Sequence, residues 1–236
     1  MIIMNNFVLT DYAYSSILNM ILSSEIKPGD RIREDLIAEK IGISRTPVRE
    51  AVNQLVQNGF VVNIKRKGLY CVSITKSELL DLLEVRTALE SISFNKCIDF
   101  ATNEDINNFK EIISDFNQKY NSILLNSDSN SGKQIAMLHN EYDVKFHISI
   151  AQVSNSNRLI KYITEIENTL LIARQRIYSN NEGKSIVLLS WKQHELMVES
   201  IQARDKTMAI NMLDQHLKLM RDTQVDIEEP AVKEEA

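Results

Sequence analysis

Residues that break helices or cross-link a chain are scarce in this sequence. Its 236 residues include six glycines, three prolines and two cysteines. So few helix breakers favour a mainly α-helical protein. The two cysteines, Cys71 and Cys97, offer neither a disulfide framework nor the spacing of a zinc knuckle. We therefore expect two small buried side chains in a reducing compartment.

Long apolar runs are lacking as well. The segment Met1–Asn6 has neither the basic nor the apolar region of a signal peptide. No apolar run approaches the roughly 20 residues that a membrane helix requires. We predict a soluble, cytoplasmic protein without a membrane partner, long enough for one large or two modest domains.

Excess charge of one sign is small overall but unevenly distributed. The formal net charge is −5, yet residues 1–76 carry a balance of +3 and residues 77–236 a balance of −8. A basic first part suits a polyanion, which the acidic remainder would repel. Overall acidity therefore does not argue against binding to a nucleic acid.

A helix-turn-helix pattern lies in the basic part. A short helix, Glu34–Ile41, precedes a turn at Gly42 and a second helix, Ser44–Asn58. Ser44 can cap this second helix with its hydroxyl, and Pro47 is tolerated in the first turn. Apolar residues then recur at helical spacing on one side. The polar side of the helix start carries Arg45, Thr46 and Arg49.

These polar residues are of types that read DNA. In a helix-turn-helix the second helix enters the major groove by its N-terminal residues. Arginine can bond to guanine, threonine can reach a base edge or methyl group, and a second arginine can hold a phosphate. The alternative is an ordinary helical hairpin with a charged outer face. The predicted DNA-binding residues of this motif are Arg33, Ser44, Arg45, Thr46 and Arg49.

Two short strands are predicted after the second helix, which Gly59 ends in a left-handed conformation. They are Phe60–Ile64 and Leu69–Ile74. Consecutive cations at the hairpin tip would be costly in a core and are suited to a wing against phosphates or the minor groove. A solvated surface turn is the alternative. The predicted wing residues are Lys65, Arg66, Lys67 and Gly68.

The first third of the chain resembles a family of bacterial regulators. The segments Pro28–Ile32 and Ile41–Ala51, with Glu34 between them, are similar to the N-terminal half of GntR-type transcription regulators. This resemblance implies a winged helix-turn-helix domain over residues 1–75 and a double-stranded DNA operator as partner. Because one recognition helix covers few base pairs, we expect a homodimer on a pseudo-palindromic operator.

The rest of the chain predicts an all-α antiparallel bundle over residues 76–227. Thr75 and Glu78 form a capping box that begins its first helix. A second helix follows a cap at Thr102. Residues 228–236 are predicted to be a disordered acidic tail. Four further helices are predicted over residues 134–151, 156–178, 186–203 and 205–226, with a polar loop at Asn126–Lys133 and a turn at Ser179–Lys184.

A possible metal site emerges from the spacing of histidines in this bundle. Asp143 and His147 are four residues apart and share one helix face. His194 and His216 lie about ten and eleven residues on either side of a short helix connection, so they should be at similar height. For each histidine alone, a hydrogen-bonded core residue is the simpler interpretation. Together, one aspartate and three histidines suit zinc, nickel or a similar divalent ion.

The same residues carry a second resemblance. Asp143, His147, Asn157, His194 and His216 are similar to the ligand-binding domain of the FadR-like branch of GntR regulators, the FCD type. In many members of that family, the matching aspartate and three histidines hold a metal beneath a pocket for a small carboxylate. The resemblance implies a small organic acid as effector.

Other candidate residues are less specific. Arg86 falls where the family often carries an arginine near the pocket, and is our candidate effector-binding residue; a salt bridge with Glu90 is the alternative. Arg174 and Arg176 are weaker candidates. His139 is a rival ligand, although it stands about 12 Å along the helix from His147. Gln193 replaces an acidic residue common at that position, which we expect to matter little.

The leading hypothesis is a DNA-binding transcription regulator, more consistent with a repressor, controlled by a carboxylate bound at the metal. An alternative is a metal sensor in which the divalent ion is itself the signal. A metallohydrolase fused to a DNA-binding domain is a remote alternative. No HExxH-like spacing, nucleophile elbow or phosphate loop occurs in the sequence, so we do not expect an enzyme.

Overall fold

A computed structural model of the chain describes residues 6–126, 131–178 and 181–224. Contacts divide the chain into two compact units, with the boundary between Thr75 and Lys76. The described ranges are mainly α-helical, as predicted. Their helices are α1 (Asn6–Leu22), α2 (Glu34–Ile41), α3 (Arg45–Gln57), α4 (Lys76–Phe100), α5 (Asn103–Asn126), α6 (Ser131–Val153), α7 (Asn157–Tyr178), α8 (Asn181–Gln202) and α9 (Lys206–Gln224), and their strands are β1 (Val61–Ile64) and β2 (Gly68–Cys71).

The first unit is a winged helix-turn-helix. Helices α1 and α2 pack against α3, whose apolar stripe is buried. Strands β1 and β2 pair antiparallel, with Val61 opposite Cys71. A bridge between Arg31 and Tyr70 adds a third short segment to this sheet. The residues of α3 that bury completely against the rest of the unit are Val48, Ala51, Val52 and Leu55.

The turns of this unit follow the glycine pattern, with one exception at a cap. Gly42 ends α2 with a φ of 72°, and Gly59 follows α3 with a φ of 80°; both are left-handed conformations that glycine adopts without strain. Ser44 occupies the N-cap of α3, but its side chain makes no capping hydrogen bond, so that prediction is wrong. Ser44 is exposed, so water can bond to the backbone N–H groups at the start of α3 in place of the serine hydroxyl.

The second unit is an antiparallel bundle of α4 to α9. The closest helix pairs are α6 with α7 and α8 with α9, and α4 packs against α6, α7 and α9. An aromatic group lies at its centre, where the rings of Phe116 and Trp191 stack with centroids 3.8 Å apart. Cys97 is buried in the same core, and burial raises the pKa of its thiol to about 12. None of the described helices is long and apolar enough to cross a membrane.

Two predicted helix starts in this unit are wrong. Helix α8 begins at Asn181 rather than at 186, and α6 at Ser131 rather than at 134. The residues before the predicted starts are polar or include glycine, which favours turns. In the structure Ser131 and Gly183 are buried, so packing in the bundle overrides this local preference. The predictions for the tail after residue 227, loop residues 127–130, turn residues 179–180 and the Arg176 side chain fall outside the described residues.

Candidate functional site

The residues predicted to read DNA lie at the exposed start of α3. Pro47 and Val48, which separate them in sequence, are buried, so the polar residues point away from the core. Arg33, at the N-cap of α2, is exposed and lies 3.7 Å from the Asp35 carboxylate. The exposed residues at the start of α3 are Ser44, Arg45, Thr46 and Arg49.

The predicted wing residues form the tip of the β1–β2 hairpin. Lys65, Arg66 and Lys67 are all exposed. Gly68 has a φ of 112°, and a Cβ at this position would lie 3.5 Å from the Arg31 guanidinium. Arg31 is exposed and is a further cation at the base of the wing, which our sequence analysis did not single out. Its position within the GntR-like segment was the available signal.

A separate cluster lies inside the second unit. Asp143 and His147 on α6, His194 on α8 and His216 on α9 are all fully buried. Each offers one ligand atom, and these four atoms lie within 4.8 Å of one another. The Nε2 atom of His147 is 3.2 Å from that of His216 and 3.3 Å from that of His194. The helical spacing and the short α8–α9 connection therefore bring the four predicted residues together.

A carboxylate oxygen of Asp143 lies close to the three imidazole nitrogens. Its Oδ1 lies 3.5 Å from the Nε2 of His194 and 3.7 Å from the Nε2 atoms of His147 and His216. This oxygen receives no hydrogen bond from the described residues. Its other oxygen, Oδ2, instead accepts a short hydrogen bond from Arg174. One carboxylate oxygen is thus left facing three imidazoles.

The outer nitrogens of two imidazoles fix the direction of their lone pairs. His147 Nδ1 lies 2.9 Å from the carboxylate Oε2 of Glu90. His216 Nδ1 lies 3.3 Å from the side-chain Oε1 of Gln193. A proton on Nδ1 of each ring suits these oxygens and leaves the Nε2 lone pairs directed inward. The His147–Glu90 contact has ion-pair distance but not hydrogen-bond geometry. His194 Nδ1 has no such partner among the described residues.

Burial favours the neutral, metal-binding form of His194 and His216. Desolvation lowers the pKa of His194 well below its usual value, partly offset by the charge of Asp143. Desolvation also lowers the pKa of His216, and the neighbouring His194 and His147 add to the shift. Burial acts to raise the pKa of Asp143, but Arg174 and the histidines hold it well below its usual value. Neutral imidazoles and a carboxylate are the ligand forms of these side chains.

This donor set fits a divalent metal ion. Two ligand atoms about 2.0–2.1 Å from one zinc ion stand roughly 3.4 Å apart at a tetrahedral angle and about 3.0 Å apart at a right angle. The nitrogen separations of 3.2 and 3.3 Å lie between these values. Lone pairs that converge in this way repel one another unless a proton or a metal cation lies between them. The cluster could therefore hold a metal ion, as FCD domains often do.

A buried ion network surrounds the cluster. The Nε of Arg86 lies 2.7 Å from Glu90 and 2.8 Å from Glu167. Arg174 donates short hydrogen bonds to both Glu167 and Asp143. Burial acts to raise the pKa of Glu90, but Arg86 and His147 lower it to about 2. The salt bridge between Arg86 and Glu90, which the sequence left as an alternative, is therefore present, and it lies beside the metal-binding cluster.

His139 lies outside the cluster. Its Nδ1 accepts a hydrogen bond of 3.0 Å from the indole N–H of Trp191. Burial lowers the pKa of His139 to about 4, despite the nearby charge of Asp143. Trp191 also contacts the ring of His194 edge-on, with centroids 4.7 Å apart. His139 is thus a buried, hydrogen-bonded core histidine that packs next to the site.

Sequence reasoning missed three residues of this site. Glu90 appeared only as a partner of Arg86, Glu167 was not considered, and Gln193 was expected to matter little. The only available signal for Glu167 was its position seven residues before Arg174, which places both on one side of α7. Their contacts join helices that are distant in sequence, so spacing along the chain does not predict them.

Comparison with known proteins agrees with both halves of this architecture. The family described as "Bacterial regulatory proteins, gntR family" matches residues 9–71, and the FCD domain matches residues 81–219. The Nta operon transcriptional regulator of Aminobacter aminovorans is 31% identical over 155 residues, covering 66% of this chain and 68% of that regulator. The gluconate operon transcriptional repressor of Bacillus subtilis is 23% identical over 216 residues, covering 88% of this chain and 81% of the repressor.

The fold is shared with a solved structure. The structure of Escherichia coli McbR/YncC has a TM-score of 0.72 and 18% identity, covering 92% of this chain and 96% of that one. A winged helix-turn-helix followed by a helical domain defines a DNA-binding transcription regulator rather than an enzyme. The chain belongs to the GntR family, in the branch that carries an FCD domain.

Proposed function

We propose that this regulator is a repressor whose binding to its operator is controlled by a small carboxylate held at a metal ion in the second unit. The observation that carries this proposal is the convergence of Asp143 Oδ1 with three imidazole Nε2 atoms in the core. A regulator needs no such group for DNA binding, and a buried carboxylate oxygen such as Asp143 Oδ1, which receives no hydrogen bond from the described residues, is costly. The gluconate operon relative is itself named a repressor.

A divalent ion would be held by His147, His194 and His216 through Nε2 and by Asp143 through Oδ1. Imidazole ligands favour zinc or nickel among the available metals. The ion would supply a positive charge to which a carboxylate can bind. Because the ligands come from α6, α8 and α9, binding would also fix these three helices relative to one another.

Arg86 is the side chain best suited to contact the effector. It is completely buried, and its Nη1 and Nη2 make no hydrogen bond to the described residues. Its Nε is occupied by Glu90 and Glu167, which hold the guanidinium in place. Guanidinium groups bind carboxylates through paired N–H bonds, so Nη1 and Nη2 suit this ligand, although Nη2 also lies 3.8 Å from Asp143 Oδ2.

Helix α4 offers a route from the site to a dimer interface. Arg86 and Glu90 lie on its inner face. Its outer face joins α7 in an apolar groove of about 400 Å³, and Val85 and Tyr162 in this groove are 51% and 47% exposed. We assign this groove to the second copy of the chain, because a two-fold operator requires a two-fold protein. An effector that contacts Arg86 would then act on a helix shared by site and interface.

The effector must bind the two states of the dimer with different affinity to change DNA binding. The test measures binding to an operator selected from random DNA, with metal-loaded and metal-free protein, in the presence of acetate, lactate, succinate or citrate. The proposal predicts that a carboxylate releases the DNA only from metal-loaded protein. Release by metal alone would favour the alternative, a metal sensor. A carboxylate response without metal would contradict both.

A further inference from the structure

The ionised side chains around the candidate metal site form one connected group. In the part of the chain that the structure describes, the fully buried ones are Arg86, Glu90, Asp143, Glu167 and Arg174. Each of them contacts at least one other through an ion pair. In a low-dielectric core, the total charge of such a group determines how favourably another ion can bind beside it, because water does not screen an excess charge there.

The total charge of this group is unbalanced. Three carboxylates and two guanidiniums leave one negative charge, and histidines that ligate a metal add none because they bind it as neutral imidazoles. A divalent ion on Asp143 and the histidines would change this to one positive charge. The metal-loaded site therefore has room for a single compensating negative charge.

Glu167 is the carboxylate that bridges both buried arginines. It is completely buried on α7, and its Oε1 lies 2.8 Å from Arg86 while its Oε2 accepts a short hydrogen bond from Arg174. It is not part of the metal-binding cluster, whose members are Asp143 and three histidines. Glu167 thus offsets one of the two cations without contributing a ligand to the metal.

We propose that the effector site selects monoanions over dianions, and that Glu167 determines this selectivity by neutralising one of the two buried arginines. This inference rests on the proposed function, because it concerns the effector of the same site. A second ligand carboxylate would enter a site whose positive charge is already balanced, and would be a buried, uncompensated anion. Removing the charge of Glu167 leaves room for that second carboxylate.

Pairs of ligands that differ only in charge test the inference on the unmodified protein. Suitable pairs are malonate with malonamate, succinate with succinamate and glutarate with glutaramate, since the amide replaces one carboxylate at nearly equal size. Calorimetric binding to zinc- or nickel-loaded protein should show the monoanion of a binding pair at least about tenfold tighter. Metal-free protein should bind neither member.

A substitution at Glu167 reverses the expected order. Glu167→Gln keeps the shape and adds one positive charge, so the dianion should now bind at least about tenfold tighter than its monoanionic partner. Glu199→Gln, at an exposed position on α8, is the control and should keep the wild-type order. If Glu167→Gln does not fold, the ligand pairs still decide the question with the wild-type protein.

The outcomes separate this inference from the function on which it rests. Equal affinity within the pairs, or tighter dianions on the wild-type protein, would overturn the charge selectivity and leave a carboxylate effector in place. An unchanged order in a folded Glu167→Gln protein would overturn the role of Glu167. If neither these acids nor acetate bind the metal-loaded protein, the carboxylate effector itself is rejected, together with the inference.

Discussion

His147 Nδ1 lies 2.9 Å from a carboxylate oxygen of Glu90, and this contact links α4 to the candidate metal site on α6. A carboxylate beside Nδ1 favours the tautomer with its proton there, which leaves the Nε2 lone pair for the cluster and makes that nitrogen a better donor to a metal. The same carboxylate group holds the Nε of Arg86 through its other oxygen. Glu90 therefore positions both a proposed metal ligand and a proposed effector-binding residue.

The first prediction concerns this positioning role. Glu90→Gln should weaken metal binding by about 10–100-fold, because an amide accepts the imidazole N–H less strongly than a carboxylate does. Competition with a chelator of known affinity measures the change. Glu84→Gln, at an exposed position on the same helix, is the control. Equal metal affinity for Glu90→Gln and the wild type would show that Glu90 does not orient His147.

The second prediction concerns DNA. Arg45→Ala or Arg49→Ala should weaken binding to a selected operator by about 1–3 kcal/mol, if the residue makes a paired contact to a base. Lys67→Ala should instead weaken binding to every sequence and reduce the salt dependence, since a wing cation contacts phosphates. Titrations on operator and random DNA at several salt concentrations separate the two roles. Equal losses on both DNAs for all three variants would remove the arginines as base readers.

The third prediction concerns assembly. Val85→Glu places a charge in the apolar groove between α4 and α7, where burial of a carboxylate in an interface is costly. Sedimentation should show a dimer for the wild type and a monomer for this variant at micromolar concentration. Leu125→Glu, at a position 86% exposed on α5 outside that groove, should remain dimeric. A Val85→Glu dimer of wild-type strength would place the interface elsewhere.

The fourth prediction concerns pH. Burial lowers the pKa of His139 to about 4. Below about pH 6.5 this histidine therefore becomes protonated in the unfolded chain while it stays neutral in the folded protein. Stability is therefore lost as pH falls, by about 2 kcal/mol from this residue between about pH 7 and about pH 5. His194 and His216, also with lowered pKa values, act in the same direction.

The contribution of His139 to this loss of stability is measured by comparing metal-free wild-type protein with metal-free His139→Gln. Denaturant unfolding at both pH values should show that the variant loses about 2 kcal/mol less stability than the wild type as pH falls. The glutamine oxygen can still accept the hydrogen bond from the Trp191 N–H. Identical pH dependence for the two proteins would mean that His139 does not stay neutral in the folded state.

Much of the site followed from spacing along the chain. Asp143 and His147 share a helix face because they are four residues apart, and His194 faces His216 because the α8–α9 connection is short. Both relationships are local, or nearly so. The start of α8 was misjudged because the polar residues around Gly183 favour a turn, whereas burial of Gly183 in the bundle decides the outcome.

The outer residues of the site could not be predicted in this way. Glu90 reaches His147, and Glu167 reaches Arg86, across helices that lie far apart in sequence. A glutamate on a helix is usually a solvated surface residue, so its type alone gives no reason to bury it. Only the packing of α4 and α7 against α6 shows that both glutamates lie inside.

The central claim is that Asp143 and three histidines bind one metal ion, and its most direct test is the metal content of His194→Ala. Protein purified without chelators is analysed for metals beside the wild type and His139→Gln, in which a buried histidine outside the cluster is replaced. We predict a stoichiometric divalent metal in the wild type and in His139→Gln, and little or none in His194→Ala. Full metal content in a folded His194→Ala protein would contradict the assignment.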